Sequence, residues 1–318
     1  MDTLRWYQGF AEFEAHGSST TYERLARAVA SAPAVLVRLD RLPPQKRQPN
    51  LLFAAARHNG VAVEDSAAFV QELVDRWDEV CGTMLERSTQ TNEPARCGAF
   101  LPLLSLLEGP IALIEVGCSA GLCLYPDRYA ISYRGEPPLV DSDVNIAVRT
   151  YGNVPVPTRV PEVVTRIGID LNPLRVDEPN DLAWLTTLVW PEHDERRARV
   201  RAASRLVEDA PPTLIAGDAT AQLGEALALV PDGVTPVVFH SAVLNYLDAP
   251  ARQAFVERVT GEPRVVWLAN EGPTVLADAR TDLGVPSSEP SNGFFILSRD
   301  GRAVAVGDPH GAWIRWPE

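Results

Sequence analysis

The stretch Ile111-Ala112-Leu113-Ile114-Glu115-Val116-Gly117-Cys118-Ser119-Ala120-Gly121 joins a short apolar run to a turn of small residues. The apolar run is typical of a buried strand. Glycines in the turn let the backbone bend tightly and leave room beside a ligand. The stretch therefore predicts a strand whose carboxyl end meets a cofactor.

Two classes of cofactor bind at such a turn, and the spacing of its residues separates them. A dinucleotide fingerprint needs Gly-x-Gly-x-x-Gly, and its absence here disfavours a nicotinamide-dependent enzyme. From Glu115 to Gly121 the pattern is Glu-x-Gly-x-Ser-x-Gly. It resembles the first motif of class I S-adenosylmethionine-dependent methyltransferases, in which the acidic residue lies near the methionyl amine. An ordinary turn after a strand would give the same pattern. The residues at the ends of the later strands are needed to distinguish a cofactor site from such a turn.

Composition and charge narrow the class of protein and its partners. The 318 residues are 46% apolar and 22% charged, as in soluble globular proteins of one enlarged domain or two joined domains. A net charge of -13 argues against nucleic-acid binding, which needs a basic surface. We therefore expect a small-molecule partner. The oligomeric state is not indicated.

Cysteines, histidines and the amino terminus give three further expectations. The four cysteines contain no Cys-x-x-Cys pair and indicate reduced thiols, and the five scattered histidines predict no metal site. The first ten residues lack the apolar core of a signal peptide. No apolar run approaches the roughly 20 residues of a membrane span. A cytoplasmic protein without membrane segments is expected.

Residues 1–108 are predicted to form an all-helical amino-terminal domain, because apolar residues recur there at helical spacing and no strand pattern interrupts them. The longest amphipathic stretch runs from Ser66 to Arg87. A polar segment follows from Ser88 to Cys97 and contains Glu93 and Arg96. A simple loop would explain its polarity, but its position one helix before the turn makes it a candidate lid or site wall.

The second strand is predicted to run from Val163 to Leu171. Its carboxyl end holds Asp170, whose carboxylate can accept hydrogen bonds from both hydroxyls of a ribose. A turn-capping aspartate is the alternative. Gly117 and Asp170 are 53 positions apart, whereas the glycine turn and the acidic residue are usually roughly 20 apart. If Asp170 is the ribose ligand, an insertion near 130–162, with loops and short strands, must therefore extend away from the site.

Polar residues also follow the next two predicted strands. The third strand, 213–216, leads into Gly217-Asp218-Ala219, and the fourth, 236–240, ends at His240 with Tyr246 shortly beyond it. Ligands of open α/β sheets bind outside the carboxyl ends of the strands. His240 can therefore be a general base, although a lone histidine at a strand end is more often structural.

The end of the chain completes the predicted sheet. A helical insertion near 177–210 precedes the third strand, and a fifth strand covers 263–269. Residues 293–298, 303–307 and 312–316 alternate like antiparallel strands joined by turns. A mostly parallel sheet with an antiparallel carboxyl-terminal hairpin is therefore expected over 109–318.

Several stretches together resemble an uncharacterised family catalogued as a domain of unknown function, and the likeness covers nearly the whole chain. They are Gln90-Thr91-Asn92-Glu93, 113–122, Trp190-Pro191, Gly217-Asp218, His240-Ser241 and Pro309-His310-Gly311-Ala312-Trp313. The resemblance implies a Rossmann-like class I methyltransferase sheet with a helical amino-terminal portion and an unestablished substrate. Ser119 departs from the glycine that many methyltransferases have.

The resemblance predicts a methyltransferase that uses S-adenosylmethionine and acts on an unknown small molecule. The alternative is a non-catalytic protein of the same fold that binds a nucleoside-containing ligand or serves as an interaction scaffold. The candidates for orienting the acceptor or removing its proton are His240, Tyr246, Glu93 and Arg96. The candidates for cofactor binding are Glu115, Gly117, Ser119, Gly121, Asp170, Asp218 and Ala219.

Overall fold

The computed structural model describes residues 2–275, residue 283 and residues 293–317. The chain packs as two compact units. The helical unit comprises Met1–Thr91 and Glu178–Ala198, and the sheet unit comprises Asn92–Asp177 and Arg199–Glu318. The domain boundary at residue 108 stays a prediction from the sequence.

The α-helices of the described residues range from 7 to 16 residues in length. In chain order they are α1 (Thr3–Gly9), α2 (Thr20–Ala30), α3 (Pro33–Leu39), α4 (Pro49–His58), α5 (Ser66–Asp75), α6 (Trp77–Glu86), α7 (Cys97–Leu104), α8 (Pro179–Thr187), α9 (Asp194–Asp209), α10 (Ala219–Ala228) and α11 (Ala249–Thr260). A π-helical segment, Phe10–Ala15, follows α1, and short 3-10 turns occupy Pro44–Lys46, Pro94–Arg96, Leu122–Leu124 and Leu244–Tyr246. None of the helices in the described ranges has the length and apolar composition needed to span a bilayer.

Between residues 2 and 108 the described chain forms helices and turns, without a strand. Local capping starts several of these helices. Ser19 Oγ accepts from the backbone N–H of Tyr22 at 3.0 Å, and Asp65 Oδ1 accepts from that of Ala68 at 2.8 Å. Such caps satisfy backbone donors that the first turn of a helix leaves unpaired.

The amphipathic stretch from Ser66 to Arg87 is two helices and not one. Helix α5 ends at Asp75 and α6 begins at Trp77. Between them, Arg76 leaves the helical conformation and donates through Nη2 to the backbone oxygen of Asn59 at 2.6 Å. Buried apolar residues lie on both sides of the break, so the break does not disturb the apolar face.

Ten strands of the described ranges form one mixed sheet, and most neighbouring pairs are parallel. They are β1 (Pro110–Val116), β2 (Ala130–Tyr133), β3 (Asn145–Tyr151), β4 (Glu162–Asp170), β5 (Thr213–Ala216), β6 (Thr235–Ser241), β7 (Val266–Glu271), β8 (Phe295–Arg299), β9 (Arg302–Gly307) and β10 (Trp313–Arg315). Their order across the sheet is β2-β3-β10-β9-β8-β7-β6-β1-β4-β5. The antiparallel pairs are β7 with β8, β8 with β9 and β9 with β10, which confirms the expected antiparallel ending.

Strand β1 lies between β4 and β6 and pairs with both in parallel. It is buried from Ile111 to Val116, as expected for a strand covered on both faces. The apolar core on one side joins β1, β4, β6 and β7 to Leu223 of α10 and Phe255 of α11. The predicted insertion near 130–162 contains two strands, β2 and β3, that extend the far edge of the sheet beyond β10.

Alanine at Gly117 is expected to destabilise the protein more than alanine at Gly109, the matched control at the other end of β1. Both residues have left-handed backbones, with φ of 69° and 72°, which cost alanine about 1–2 kcal/mol. A Cβ at Gly109 would meet nothing within 4 Å, whereas one at Gly117 would lie 2.4 Å from Cγ2 of Val243. That overlap adds roughly 1–3 kcal/mol. Urea unfolding measures both losses, and equal losses would contradict the packing.

Candidate functional site

The turn after β1 is held by hydrogen bonds from its backbone to β4. The N–H groups of Gly117 and Cys118 donate to the backbone oxygen of Ile169 at 2.7 and 3.2 Å. The N–H of Ser119 donates to Oδ2 of Asp170 at 2.8 Å. The predicted turn and the predicted strand-end aspartate are thus in direct contact, although they are far apart in sequence.

Ser119 adopts a left-handed backbone, with φ of 52°, between the left-handed Gly117 and Gly121. Residues other than glycine rarely take this conformation, and where they do it is often at a functional site. The serine that departs from the methyltransferase pattern therefore takes the conformation that glycine favours.

Glu115 is the last residue but one of β1, just before these glycines, and it is buried without full hydrogen bonding. Its side chain is 5% exposed, and Oε2 has no hydrogen-bond partner among the described residues. Burial raises the pKa of this carboxyl well above its usual range, and the nearby Cys123 thiol raises it further, while the charge of Arg96 opposes the shift. A buried carboxyl of this kind lacks a donor that a bound ligand can supply.

The polar residues 92–96 are buried within the sheet unit. Oδ1 of Asn92 accepts from the N–H of Leu122 at 2.8 Å, which ties this segment to the end of the glycine turn. Glu93 is 1% exposed, and its Oε1 accepts from the N–H of Ala95 at 3.1 Å and from Nη1 of Arg199 at 2.8 Å. These residues are therefore part of the wall of the turn.

Arg96 joins two further stretches of the chain to the same segment. Its side chain is 9% exposed. Nε donates to the backbone oxygen of Pro309 at 3.0 Å, and Nη1 donates to that of Ser241, the last residue of β6, at 3.2 Å. Gly311 also packs here, because a Cβ at that position would lie 2.0 Å from the oxygen of Ala95.

His240 lies in a fully buried hydrogen-bonded group. Its Nδ1 is 2.7 Å from Oε1 of Glu271, and its Nε2 is 3.0 Å from the indole Nε1 of Trp267. Because an indole N–H can only donate, Nε2 of His240 accepts and Nδ1 donates to the carboxylate. Both ring nitrogens are engaged, so the geometry favours a positioning role for His240 over that of a base facing a substrate.

Glu271 contacts the loop after β6 in addition to His240. Its Oε1 also accepts from the N–H groups of Val243 and Leu244, at 2.8 and 3.1 Å, while Oε2 has no partner among the described residues. Val243 is the residue that packs against Gly117. Through this loop, a carboxylate at the end of β7 supports the turn after β1.

The remaining predicted site residues follow β5 and β6 along the chain: Asp218, Ala219 and Tyr246. Asp218 is exposed at the start of α10, and its Oδ1 caps that helix by accepting from the N–H of Ala221 at 3.1 Å, with Ala219 as the first helical residue. The N–H of Gly217 donates to the backbone oxygen of Asp170 at 2.9 Å, which brings this turn beside β4. Tyr246 is 70% exposed and is not gathered into the buried group.

Three residues of the site were not among the predicted site residues: Asn92, Arg199 and Trp267. Glu271 was expected at the same rim, from its place at the end of the fifth predicted strand. Asn92 carries a usable signal, because it is a polar residue within the segment from Ser88 to Cys97 that was identified as a candidate wall. Arg199 lies within a run of arginines that is typical of a solvated helix face. Nothing in the sequence near Trp267 indicates that its indole meets a histidine from another strand.

A profile of the family described as "Uncharacterized protein conserved in bacteria (DUF2332)" matches residues 5–316, so the chain belongs to that family. Membership of an uncharacterised family is thereby confirmed. No curated protein matches the chain. Within the described residues, no three side chains of histidine, cysteine, aspartate or glutamate are grouped to hold a metal ion.

The Glu115→Gln variant is expected to gain stability relative to the wild type as the pH rises from 5 to 8. A raised pKa in the folded state makes stability fall as pH increases from the unfolded carboxyl value of about 4.3 toward the raised value. The advantage of the variant over the wild type therefore grows as the pH rises from 5 to 8.

The matched control for this experiment is Glu108→Gln, which changes an exposed carboxyl just before the same strand. Thermal unfolding of all three proteins from pH 5 to pH 8 gives the comparison. A constant difference between Glu115→Gln and the wild type across this range would contradict the raised pKa.

Proposed function

We propose that this member of the DUF2332 family binds S-adenosylmethionine at the carboxyl ends of β1, β4 and β5 and transfers its methyl group to a small molecule. The single observation that carries the proposal is the buried Glu115 beside the left-handed turn, with Oε2 lacking a partner among the described residues. A ligand ammonium would supply the missing donor.

The order of the strands supports a ligand site at this place. The chain runs outward from β1 to β4 and β5, and then returns to β6 and β7 on the other side of β1. The order therefore reverses between β1 and β6. Ligands of doubly wound α/β sheets bind outside the strands at such a reversal. This order agrees with the Rossmann-like sheet that the methyltransferase resemblance implies.

The residues present fit the parts of the cofactor. Glu115 suits the methionyl ammonium, and it lies two residues before the turn that runs from Gly117 to Gly121. Asp170 suits the ribose hydroxyls, since each oxygen of a carboxylate can accept more than one hydrogen bond. Asp218 suits the exocyclic amine of adenine, with Ala219 leaving space beside it.

The chemistry asked of the protein is mainly positioning. S-adenosylmethionine supplies an electrophilic methyl group, and in-line transfer requires the acceptor atom to be held opposite the leaving sulfur. His240 holds the carboxyl of Glu271 in place instead of removing a proton, because both ring nitrogens of His240 are engaged. We therefore propose an acceptor that reacts without a base from His240. Arg96, Glu93 and Tyr246 remain candidates for orienting it.

The second candidate function is binding of a nucleoside-containing ligand without turnover. The observation that favours it is the full engagement of His240, which leaves that residue unable to act on a substrate. In this case the protein senses the ligand or serves as a scaffold. Formation of S-adenosylhomocysteine in the presence of a panel of small acceptors separates the two functions.

Calorimetric titration with S-adenosylmethionine and S-adenosylhomocysteine tests the site. We expect micromolar binding, about -8 kcal/mol. Glu115→Gln and Asp170→Asn should each weaken it by roughly tenfold or more, because each removes a charged hydrogen-bond acceptor. The matched control is Asp232→Asn. Asp232 is an exposed aspartate in the turn before β6, at the amino end of that strand and away from the proposed site.

Unchanged affinity in Asp232→Asn together with losses in the other two variants supports the proposal. Binding of neither ligand, or losses of the same size in all three variants, would overturn it. A nicotinamide dinucleotide serves as the ligand control and should give no heat.

A further inference from the structure

Arg96 is a buried cation that pairs with no carboxylate among the residues the structure describes. Its two hydrogen bonds go to the backbone oxygens of Pro309 and Ser241, which have no formal charge. The neighbouring Glu93 pairs with Arg199. Removing a guanidinium from water without an anionic partner is costly. A ligand anion would compensate this cost.

Glu115, on β1, is the opposite case. Its Oε2 is buried and has no donor among the described residues. Glu115 pairs in register with Phe239 of β6, the strand whose last residue, Ser241, accepts from Arg96. The guanidinium is near enough to oppose the rise in the pKa of Glu115, yet these two described side chains form no ion pair with each other. The guanidinium of Arg96, which has no anionic partner among the described residues, and the carboxyl of Glu115, which lacks a donor at Oε2, thus both lie at the carboxyl ends of β1 and β6.

We infer that Arg96 and Glu115 together bind an α-amino-acid group, with Arg96 receiving the carboxylate and Glu115 receiving the ammonium. The inference rests on the proposed function, because the methionyl end of S-adenosylmethionine is such a zwitterion. It assigns Arg96 to cofactor recognition and removes it from the candidates that act on the methyl acceptor.

The donors of Arg96 suffice for this role. A guanidinium has five N–H groups. One on Nε and one on Nη1 are used for Pro309 and Ser241, which leaves one on Nη1 and two on Nη2. A carboxylate can accept two parallel bonds from these groups. The bonds to Pro309 and Ser241 meanwhile fix the plane of the guanidinium, so little conformational entropy remains to be lost on binding.

The test compares S-adenosylhomocysteine with its decarboxylated analogue, S-adenosyl-3-thiopropylamine, by calorimetry. The wild type should bind the complete ligand about 10- to 100-fold more tightly, because only that ligand has a carboxylate for Arg96. In Arg96→Met this preference should fall to about threefold or less. Arg96→Lys retains the charge without the paired donors and should give an intermediate ratio. The control is Arg205→Met, an exposed arginine of α9 in the same unit, whose ratio should match the wild type.

The ratio separates recognition from a structural role of Arg96. If Arg96 only supports the loops at Ser241 and Pro309, its substitution weakens both ligands equally and leaves the ratio unchanged, which would overturn the inference. Equal binding of the two ligands by the wild type would also overturn it while leaving the proposed function intact. Binding of neither ligand by the wild type would remove the proposed function, and this inference with it.

Discussion

The left-handed turn after β1 is the constraint on which the arrangement of the sheet unit depends. Its backbone N–H groups reach Ile169 and Asp170 of β4, and Gly117 leaves room for Val243 from the loop after β6. A turn with a Cβ at Gly117 would push that loop away. The ends of three neighbouring strands are therefore fixed against each other by a few backbone contacts and one missing side chain.

This close packing buries several ionisable side chains. Some of them are paired with opposite charges or several hydrogen-bond donors, and two of them are not. Glu93 is neutralised by Arg199, and Oε1 of Glu271 collects three donors from His240 and the loop after β6. These pairs stabilise the walls of the site. Arg96 and Glu115, by contrast, form no ion pair with each other, and Oε2 of Glu115 has no hydrogen-bond partner among the described residues. Compensated pairs support the structure, and the uncompensated ones are available to a ligand.

Sequence patterns predicted the central strands because each is a short apolar run that leads into a turn of glycine or polar residues. The runs at 111–116, 163–171, 213–216 and 236–240 became β1, β4, β5 and β6 with bounds shifted by at most one residue. Strands β2 and β3 were harder to predict, because they lie in a stretch rich in proline and aspartate. The break at Arg76 was missed, since the apolar spacing continues unchanged across it.

The contacts within the site could be predicted less well than its residues. Asp170 was identified from its place at a strand end, but its bond to Ser119 depends on how a long insertion is accommodated. The partners of His240 come from β7, and those of Arg96 come from residues 241 and 309. Such long-range contacts are set by strand order, which a single sequence does not encode in any local pattern.

A crystal structure of the complex with S-adenosylhomocysteine tests the central claim most directly, namely that the incompletely bonded carboxyl of Glu115 serves a ligand. We predict that the ligand lies across the carboxyl ends of β1 and β4, with its ammonium within about 3 Å of a Glu115 carboxylate oxygen. A ligand bound elsewhere, or one at this edge that leaves Glu115 without a contact, would contradict the account.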